Sequence, residues 1–378
     1  MAGAPTRTVF RREYAARNTD RSDQIIARRK PSTLWTLSFK RTLNAMTRTT
    51  MRAGSQAIAK ALRATAKVRK PANPRTPAAA DWISGVAIGA GCTRHYRLFK
   101  PTGVRNSERL PLIVMLHGCA QNAEAIAASS RINRIAARER FLVLYPEQNR
   151  LSNVQNCWNW YETKSGRAQA EMSAIDAAIE QVCLRHAVDR NRIALAGFSA
   201  GAAMAALLAM RHPERYRAII MHSGVGPGVA HSTATALGAM RGRRINALPY
   251  AAGVQRPALL VIHGSADHTV APGNGVEAAR AWAASAGAKA CTPRIVQRGA
   301  RYPATVTEYR TEHRAVSGSG IPGKTRLVAT HCEIAGLGHA WSGGAAGHPF
   351  SDPKGPDASR MIWAFVVKQF GFIGVYCG

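Results

Sequence analysis

The run Ile193-Ala-Leu-Ala-Gly197-Phe-Ser199-Ala-Gly201-Ala-Ala-Met-Ala-Ala-Leu-Leu208 changes character twice. An unbroken apolar stretch gives way to glycine, serine and glycine, and then to a segment of small residues with helical propensity. A strand, a tight turn and a helix follow from that order. Glycines at positions 197 and 201 admit a turn too sharp for a side chain, and a serine at its apex projects above the sheet edge. Ser199 is therefore the candidate nucleophile.

Outward from this turn the same alternation repeats. Residues 94–99, 111–116, 141–145, 192–197, 217–222 and 257–262 read as strands. Several lack internal alternation, as expected when both faces of a parallel sheet are covered. Helical patterns fall between them at 122–138, 171–186, 200–211 and 274–286. Later strands are expected at 304–310 and 326–333, with a closing helix over 357–370. The expected fold class is α/β, a mostly parallel central sheet with helices on both faces. Residues 225–255 break the rhythm with Gly, Pro, Ser, Thr and basic residues, and read as a loop or cap over the site.

Residues 71–81 carry three prolines and no large apolar side chain before Asp81, which is the composition of an extended linker. It separates a catalytic domain over 82–378 from an N-terminal segment over 1–70. In that segment Trp35, Phe39, Leu43 and Met46 recur at helical spacing among basic residues, the pattern of a basic amphipathic helix. Residues 1–80 hold 18 Lys+Arg against 3 Asp+Glu, and the whole chain has a formal charge of +31. This balance implies attraction to anionic surfaces such as nucleic acid, acidic lipid or a polyanionic polymer, and an anionic granule or membrane surface bound through residues 1–70 is the expected partner. No recognised motif supports specific nucleic-acid binding. Neither a spanning apolar run nor a cleavable signal is visible.

A serine nucleophile needs an imidazole to take its proton and a carboxylate to hold that imidazole. The run Ala258-Leu-Leu-Val-Ile-His-Gly-Ser-Ala-Asp267 ends an expected strand with an acid, where open α/β sheets place their sites. Gly336-Leu-Gly-His339-Ala-Trp-Ser-Gly-Gly344 puts a histidine in a glycine-rich loop after the strand at 326–333. Chain order then selects Asp267 and His339 as the partners of Ser199. For an oxyanion, the expected donors are the N–H of Ala200 and that of Cys119, which follows the strand ending in His117-Gly118. His117 itself reads as a loop-shaping residue. The seven cysteines include no CxxC pair, so no metal is expected, and the chemistry calls for no organic cofactor.

His117-Gly-Cys-Ala-Gln121, Cys157-Trp-Asn-Trp160, Gly197-Phe-Ser-Ala-Gly201, His263-Gly-Ser-Ala-Asp267 and Gly338-His-Ala-Trp-Ser-Gly-Gly344 stand in the order found in the poly(3-hydroxybutyrate) depolymerase esterase family, which this sequence resembles over residues 82–375. The resemblance implies an α/β-hydrolase fold and hydrolysis of short-chain polyhydroxyalkanoate esters, polymer or oligomer, through Ser199, Asp267 and His339. It further implies a Cys119–Cys157 disulfide, and substrate contacts from Trp158, Trp160 and Trp341. An extracellular location follows by resemblance. The chain departs from the family's secreted depolymerases in its basic start and in showing no Thr-rich linker or polymer-binding domain. A cytoplasmic, granule-associated location is the alternative, and feruloyl or acetylxylan ester hydrolysis the alternative chemistry. A third reading is a granule- or membrane-surface binding module without catalysis.

Overall fold

The computed structural model describes residues 81–89, 92–105, 107–243, 250–251, 254–311 and 325–371. The expected N-terminal helix and linker fall on residues 1–80, outside the described residues. Asp81, the last residue of the expected linker, is the first residue of a strand.

Thirteen strands and seven α-helices are found among the described residues. The strands are β1 (Asp81–Gly89), β2 (Cys92–Lys100), β3 (Leu110–Leu116), β4 (Leu142–Pro146), β5 (Val188–Phe198), β6 (Ala218–His222), β7 (Ala258–Gly264), β8 (Lys289–Ala290), β9 (Arg294–Val296), β10 (Ala304–Thr311), β11 (Arg326–Ile334), β12 (Trp341–Ser342) and β13 (Ser351–Asp352). The helices are α1 (Ala123–Ser130), α2 (Ile132–Glu139), α3 (Arg167–Arg185), α4 (Ala200–Arg211), α5 (Thr233–Met240), α6 (Gly273–Ala284) and α7 (Ala358–Gly371).

The main sheet runs β1-β2-β4-β3-β5-β6-β7-β11-β10-β8, with β9 beside β10. From β4 to β11 all neighbours are parallel, while β1–β2, β2–β4 and β10–β11 are antiparallel. Every residue of β3, β4, β6 and β7 is buried, which explains why these strands read as apolar runs without alternation. One face of the sheet packs on α3, α4 and α6, where Leu112, Val114 and Leu116 share a core with Ile175 and Met204. The other packs on α1, α2 and α7, where Ile113 and Met115 share a core with Ile126, Ile135 and Ile362.

One expectation is corrected and one is refined. The single helix expected over 122–138 is broken at Arg131, which takes a left-handed conformation at φ 58°. Ser129 and Ser130 bond back to the carbonyls of Ile126 and Ala127, which ends α1, and the Arg131 guanidinium reaches away to the Gly343 carbonyl. The stretch 225–255 contains a helix, α5, closed at its start by a capping box between Ser232 and Thr235.

Candidate active site

β5 delivers Ser199 and α4 leaves from it. The serine backbone sits at φ 54°, ψ −119°, an uncommon conformation for a residue with a side chain. The glycines on either side make room for this turn. A Cβ on Gly197 would lie 2.2 Å from the Gly201 carbonyl oxygen, and one on Gly201 would lie 2.3 Å from the Leu116 carbonyl oxygen. The helix can thus start directly against the end of β3.

Beyond β7, Asp267 is 2% exposed yet fully hydrogen-bonded. Its Oδ1 accepts the N–H groups of Thr269 at 2.9 Å and Val270 at 2.8 Å. Its Oδ2 faces His339 Nδ1 at 2.8 Å and His263 Nε2 at 3.4 Å. Burial alone would raise the carboxyl's pKa, but the bonds from His263, His339 and Val270 outweigh it and hold the group well below the usual carboxylate range. An ionised Asp267 accepts the Nδ1–H of His339, which leaves Nε2 unprotonated. That atom lies 3.0 Å from Ser199 Oγ, so the hydroxyl donates to it. The structure therefore brings Ser199, His339 and Asp267 into one relay.

The loop carrying His339 is tied to the loop carrying Asp267. Ala266 N–H donates to the Leu337 carbonyl at 3.0 Å, and Gly336 N–H to Ser265 Oγ at 3.0 Å. Gly264 permits this approach, since a Cβ there would lie 2.1 Å from the Leu337 oxygen.

On the other side of Ser199 runs the loop after β3. Cys119 and Cys157 form a disulfide, and the Ala120 N–H donates to the Gln155 carbonyl at 2.7 Å, so the two loops are tied together. His117 accepts the Gln148 N–H on Nε2 at 3.1 Å and donates from Nδ1 to the Gly118 carbonyl at 2.8 Å. Burial lowers its pKa to about 4, so it stays neutral and shapes the loop. The N–H groups of Gly118, Ala120 and Gln121 are all engaged, whereas that of Cys119 meets no acceptor among the described residues. Ala200, as the first residue of α4, presents an N–H without an intrahelical acceptor at the positive end of the helix dipole.

Ser199, Ala200 and Cys119 line a narrow cleft of roughly 30 Å³. Its remaining walls are mainly apolar, from Trp160, Val225, Met240 and Val270 among others. Trp158 also borders it, though fully buried and donating its indole N–H to the His117 carbonyl at 3.0 Å. Trp341 does not. Its indole is 1% exposed, stacks on His222 with ring centres 5.0 Å apart, and donates to Ser359 Oγ at 3.2 Å. The substrate contact expected from Trp341 is corrected to a core role, because the loop turns inward immediately after His339.

Several residues of this site carry no local signal. Met240 comes from α5, and Val225 and Val270 look like ordinary core residues in the sequence. His222 and His263 each end an apolar strand and resemble core histidines. Only the sheet order places them beside Ser199 and Asp267. Among the described residues there is no cluster of His, Cys, Asp or Glu fit to hold a metal ion, and no helix is long and apolar enough to cross a membrane.

Residues 94–289, just over half of the chain, match the family model described as esterase PHB depolymerase. Ser199 and Asp267 fall inside the match, and His339 lies beyond it. The chain is 30% identical over 190 residues to poly(3-hydroxyalkanoate) depolymerase C of Paucimonas lemoignei, covering 47% of this chain and 45% of that protein. It is 26% identical over 208 residues to feruloyl esterase B of Neurospora crassa, covering 48% of this chain and 70% of the relative. It thus spans less than half the length of the depolymerase it matches. Among solved structures, a prolyl endopeptidase superposes with a TM-score of 0.50 at 14% identity, covering 81% of this chain and 40% of that one. The fold is that of the α/β-hydrolases.

Proposed function

Because the chain belongs to the esterase PHB depolymerase family, we propose that it is a serine ester hydrolase acting on short-chain polyhydroxyalkanoate esters, polymer or oligomer. The observation that carries this reading is the relay of 2.8 Å and 3.0 Å contacts from Asp267 through His339 to Ser199, opening on an apolar cleft. A short aliphatic acyl group suits walls built from Val225, Met240 and Val270.

In this reading Ser199 Oγ attacks the ester carbonyl carbon as its proton passes to His339 Nε2. The tetrahedral oxyanion is held by the N–H groups of Cys119 and Ala200. The bond to the leaving oxygen then breaks, and His339 returns the proton to that oxygen. Water attacks the acyl-enzyme, giving its proton to His339, and the second tetrahedral species releases the acid and restores Ser199. Asp267 orients His339 and stabilises the imidazolium formed in each half.

The feruloyl esterase relative supports a second reading, an ester hydrolase of plant cell-wall substrates. Fold does not separate the two. A panel of 3-hydroxybutyrate oligomers, methyl ferulate and acetylated xylan does so. The first reading expects the oligomers to be turned over at least about tenfold faster in kcat/KM. A preference for ferulate or xylan esters rejects it, and an active Ser199→Ala variant rejects the mechanism.

The disulfide supports an oxidising compartment, hence an extracellular location. Residues 1–70 are proposed to attach the enzyme to an anionic granule or membrane surface. Salt-sensitive binding to anionic vesicles, lost on deletion of 1–70, is the expected result.

A further inference from the structure

Two bonds made by one residue join the strand that supports Ser199 to the loop that carries His339. His222 ends β6, next to the end of β5. Its carbonyl oxygen accepts the Ser199 N–H at 2.9 Å. Its ring Nε2 accepts the Ser342 N–H at 3.1 Å, three residues past His339. The remaining ring nitrogen, Nδ1, lies 3.1 Å from Ser223 Oγ. Since Nε2 must be unprotonated to accept an amide N–H, the proton sits on Nδ1 and is donated to that hydroxyl.

Packing fixes the plane of the ring as well. Trp341 stacks on one face at 5.0 Å with the rings inclined by 21°, and Phe198 meets it in a T-shaped contact at 5.6 Å. Phe198 in turn lies 5.0 Å from the ring of His339. The side chain is fully buried. The glycine-rich sequence around His339 has little conformational preference of its own, so its position depends on what it is tied to. Upstream, the ties run to the loop of Asp267. Downstream, the backbone of Ser342 is tied to His222.

We propose that His222 is a positioning residue for ester hydrolysis, setting the Ser199–His339 separation through its carbonyl on one side and its neutral, Nδ1-protonated imidazole on the other. The proposal rests on the serine-hydrolase reading of the site. His222 touches neither substrate nor reacting atoms. It acts through the backbone on either side of the 3.0 Å contact between Oγ and Nε2. A displacement of that contact by about 1 Å is worth about 100-fold in rate. Any change at His222 should therefore fall on kcat, while the cleft walls that set KM stay in place.

The test compares the full-length enzyme with His222→Phe, His222→Gln and Ser199→Ala in p-nitrophenyl butyrate hydrolysis. Phenylalanine keeps the stack with Trp341 but offers no acceptor, whereas the glutamine amide oxygen reaches about as far as Nε2. The expected result is a fall in kcat of about 10- to 100-fold for His222→Phe, with KM within about threefold, and recovery to within about fivefold of wild type for His222→Gln. Undiminished kcat in His222→Phe overturns the proposal, and so does a glutamine variant as slow as the phenylalanine one. An inactive Ser199→Ala alongside an undiminished His222→Phe removes the role of His222 alone. An active Ser199→Ala removes the serine-hydrolase reading and this role with it.

A second measurement needs no substitution at His222. In protein labelled with ¹⁵N-histidine, long-range ¹H–¹⁵N spectra distinguish the two neutral tautomers. The proposal expects the Nδ1–H form for His222, and an Nε2–H form would overturn it because that nitrogen could not accept from Ser342.

Discussion

His263 Nε2 stands 3.4 Å from Asp267 Oδ2, the same oxygen that receives the His339 Nδ1–H at 2.8 Å. Its main acceptor is the Val270 carbonyl at 2.9 Å, which fixes the proton on Nε2 and aims it between the carbonyl and the carboxylate. Asp267 therefore has a donor on every side. The second imidazole helps to keep it ionised and unable to rotate away from His339.

Replacing His263 by phenylalanine removes that donor while filling most of the space. Leaving a buried carboxylate oxygen and a buried carbonyl short of one bond costs about 1–3 kcal/mol. The expected outcome is a loss of stability of that order in urea unfolding, with kcat/KM for p-nitrophenyl butyrate reduced about 3- to 30-fold. Wild-type kinetics in His263→Phe would show that the Thr269 and Val270 amides are sufficient to hold Asp267.

Acid should weaken the fold well before it titrates the carboxylates. Burial depresses the pKa of His117 and of His331 to about 4 and that of His222 to about 3. Above about pH 6.5 neither the folded nor the unfolded chain protonates these rings, and they make no difference to stability. Below that, the unfolded chain takes up protons that the folded one refuses. Each ring then costs about 1.4 kcal/mol per pH unit until its folded pKa is reached. Unfolding free energy measured in urea should fall by on the order of 5 kcal/mol between pH 7 and pH 5. A flat profile over that interval would contradict the burial of these three rings. Asp267, whose folded pKa is depressed, adds a further loss in the same direction as pH falls below about 4.

The Cys119–Cys157 disulfide spans 38 residues of sequence and holds the loop bearing the Cys119 N–H. In the chain-entropy description a closed loop of that length stabilises the fold by about 3–4 kcal/mol. A Cys119→Ser/Cys157→Ser double variant should lose up to about that much in urea. Its kcat should fall more than its KM rises, because a looser oxyanion donor is felt in the transition state. Denatured, unreduced wild-type protein should titrate no more than five of its seven cysteines. Seven thiols would exclude the bridge.

What the sequence made legible follows from the range over which each signal acts. The turn at Ser199 and the six strands around it are local patterns, and each strand overlaps its expected span. β1 escaped notice because Asp81–Gly89 is an edge strand with exposed Val86 and Ile88, which lacks the continuous apolar run of its neighbours. Helix α5 was hidden because Thr233–Met240 follows a stretch of Gly, Pro and Ser that looks like loop. Asp267 and His339 were reachable through chain order. His222 and His263 were not, since their importance arises from lying on strands adjacent in space to those of Ser199 and His339. Trp341 misled for the complementary reason: proximity to His339 in sequence says nothing of which way the next side chains turn.

Glycine positions separate the site from its scaffold. A Cβ on Gly201 would stand 2.3 Å from the Leu116 oxygen and 2.5 Å from the His117 oxygen, both backbone atoms that cannot swing aside. Gly273, at the start of α6, has nothing within 4 Å of the same added atom. Alanine favours a helix interior over glycine by about 0.5–1 kcal/mol, and part of this gain is available at both positions, which lie in the first turn of their helices. At Gly273 nothing opposes it, so Gly273→Ala should stabilise the protein slightly. At Gly201 the overlap is larger than the gain, because relieving it means moving α4 off the end of β3 at a cost of about 1–3 kcal/mol. That movement carries Ser199 and the Ala200 N–H away from Cys119, so the nucleophile and the two oxyanion donors lose their common geometry. Gly201→Ala is therefore expected to lower kcat about 100-fold while unfolding only modestly earlier, and Gly273→Ala to leave kcat unchanged. Thermal melts and p-nitrophenyl butyrate kinetics on the pair would decide it, and a fully active Gly201→Ala would mean that the end of β3 can yield without disturbing the site.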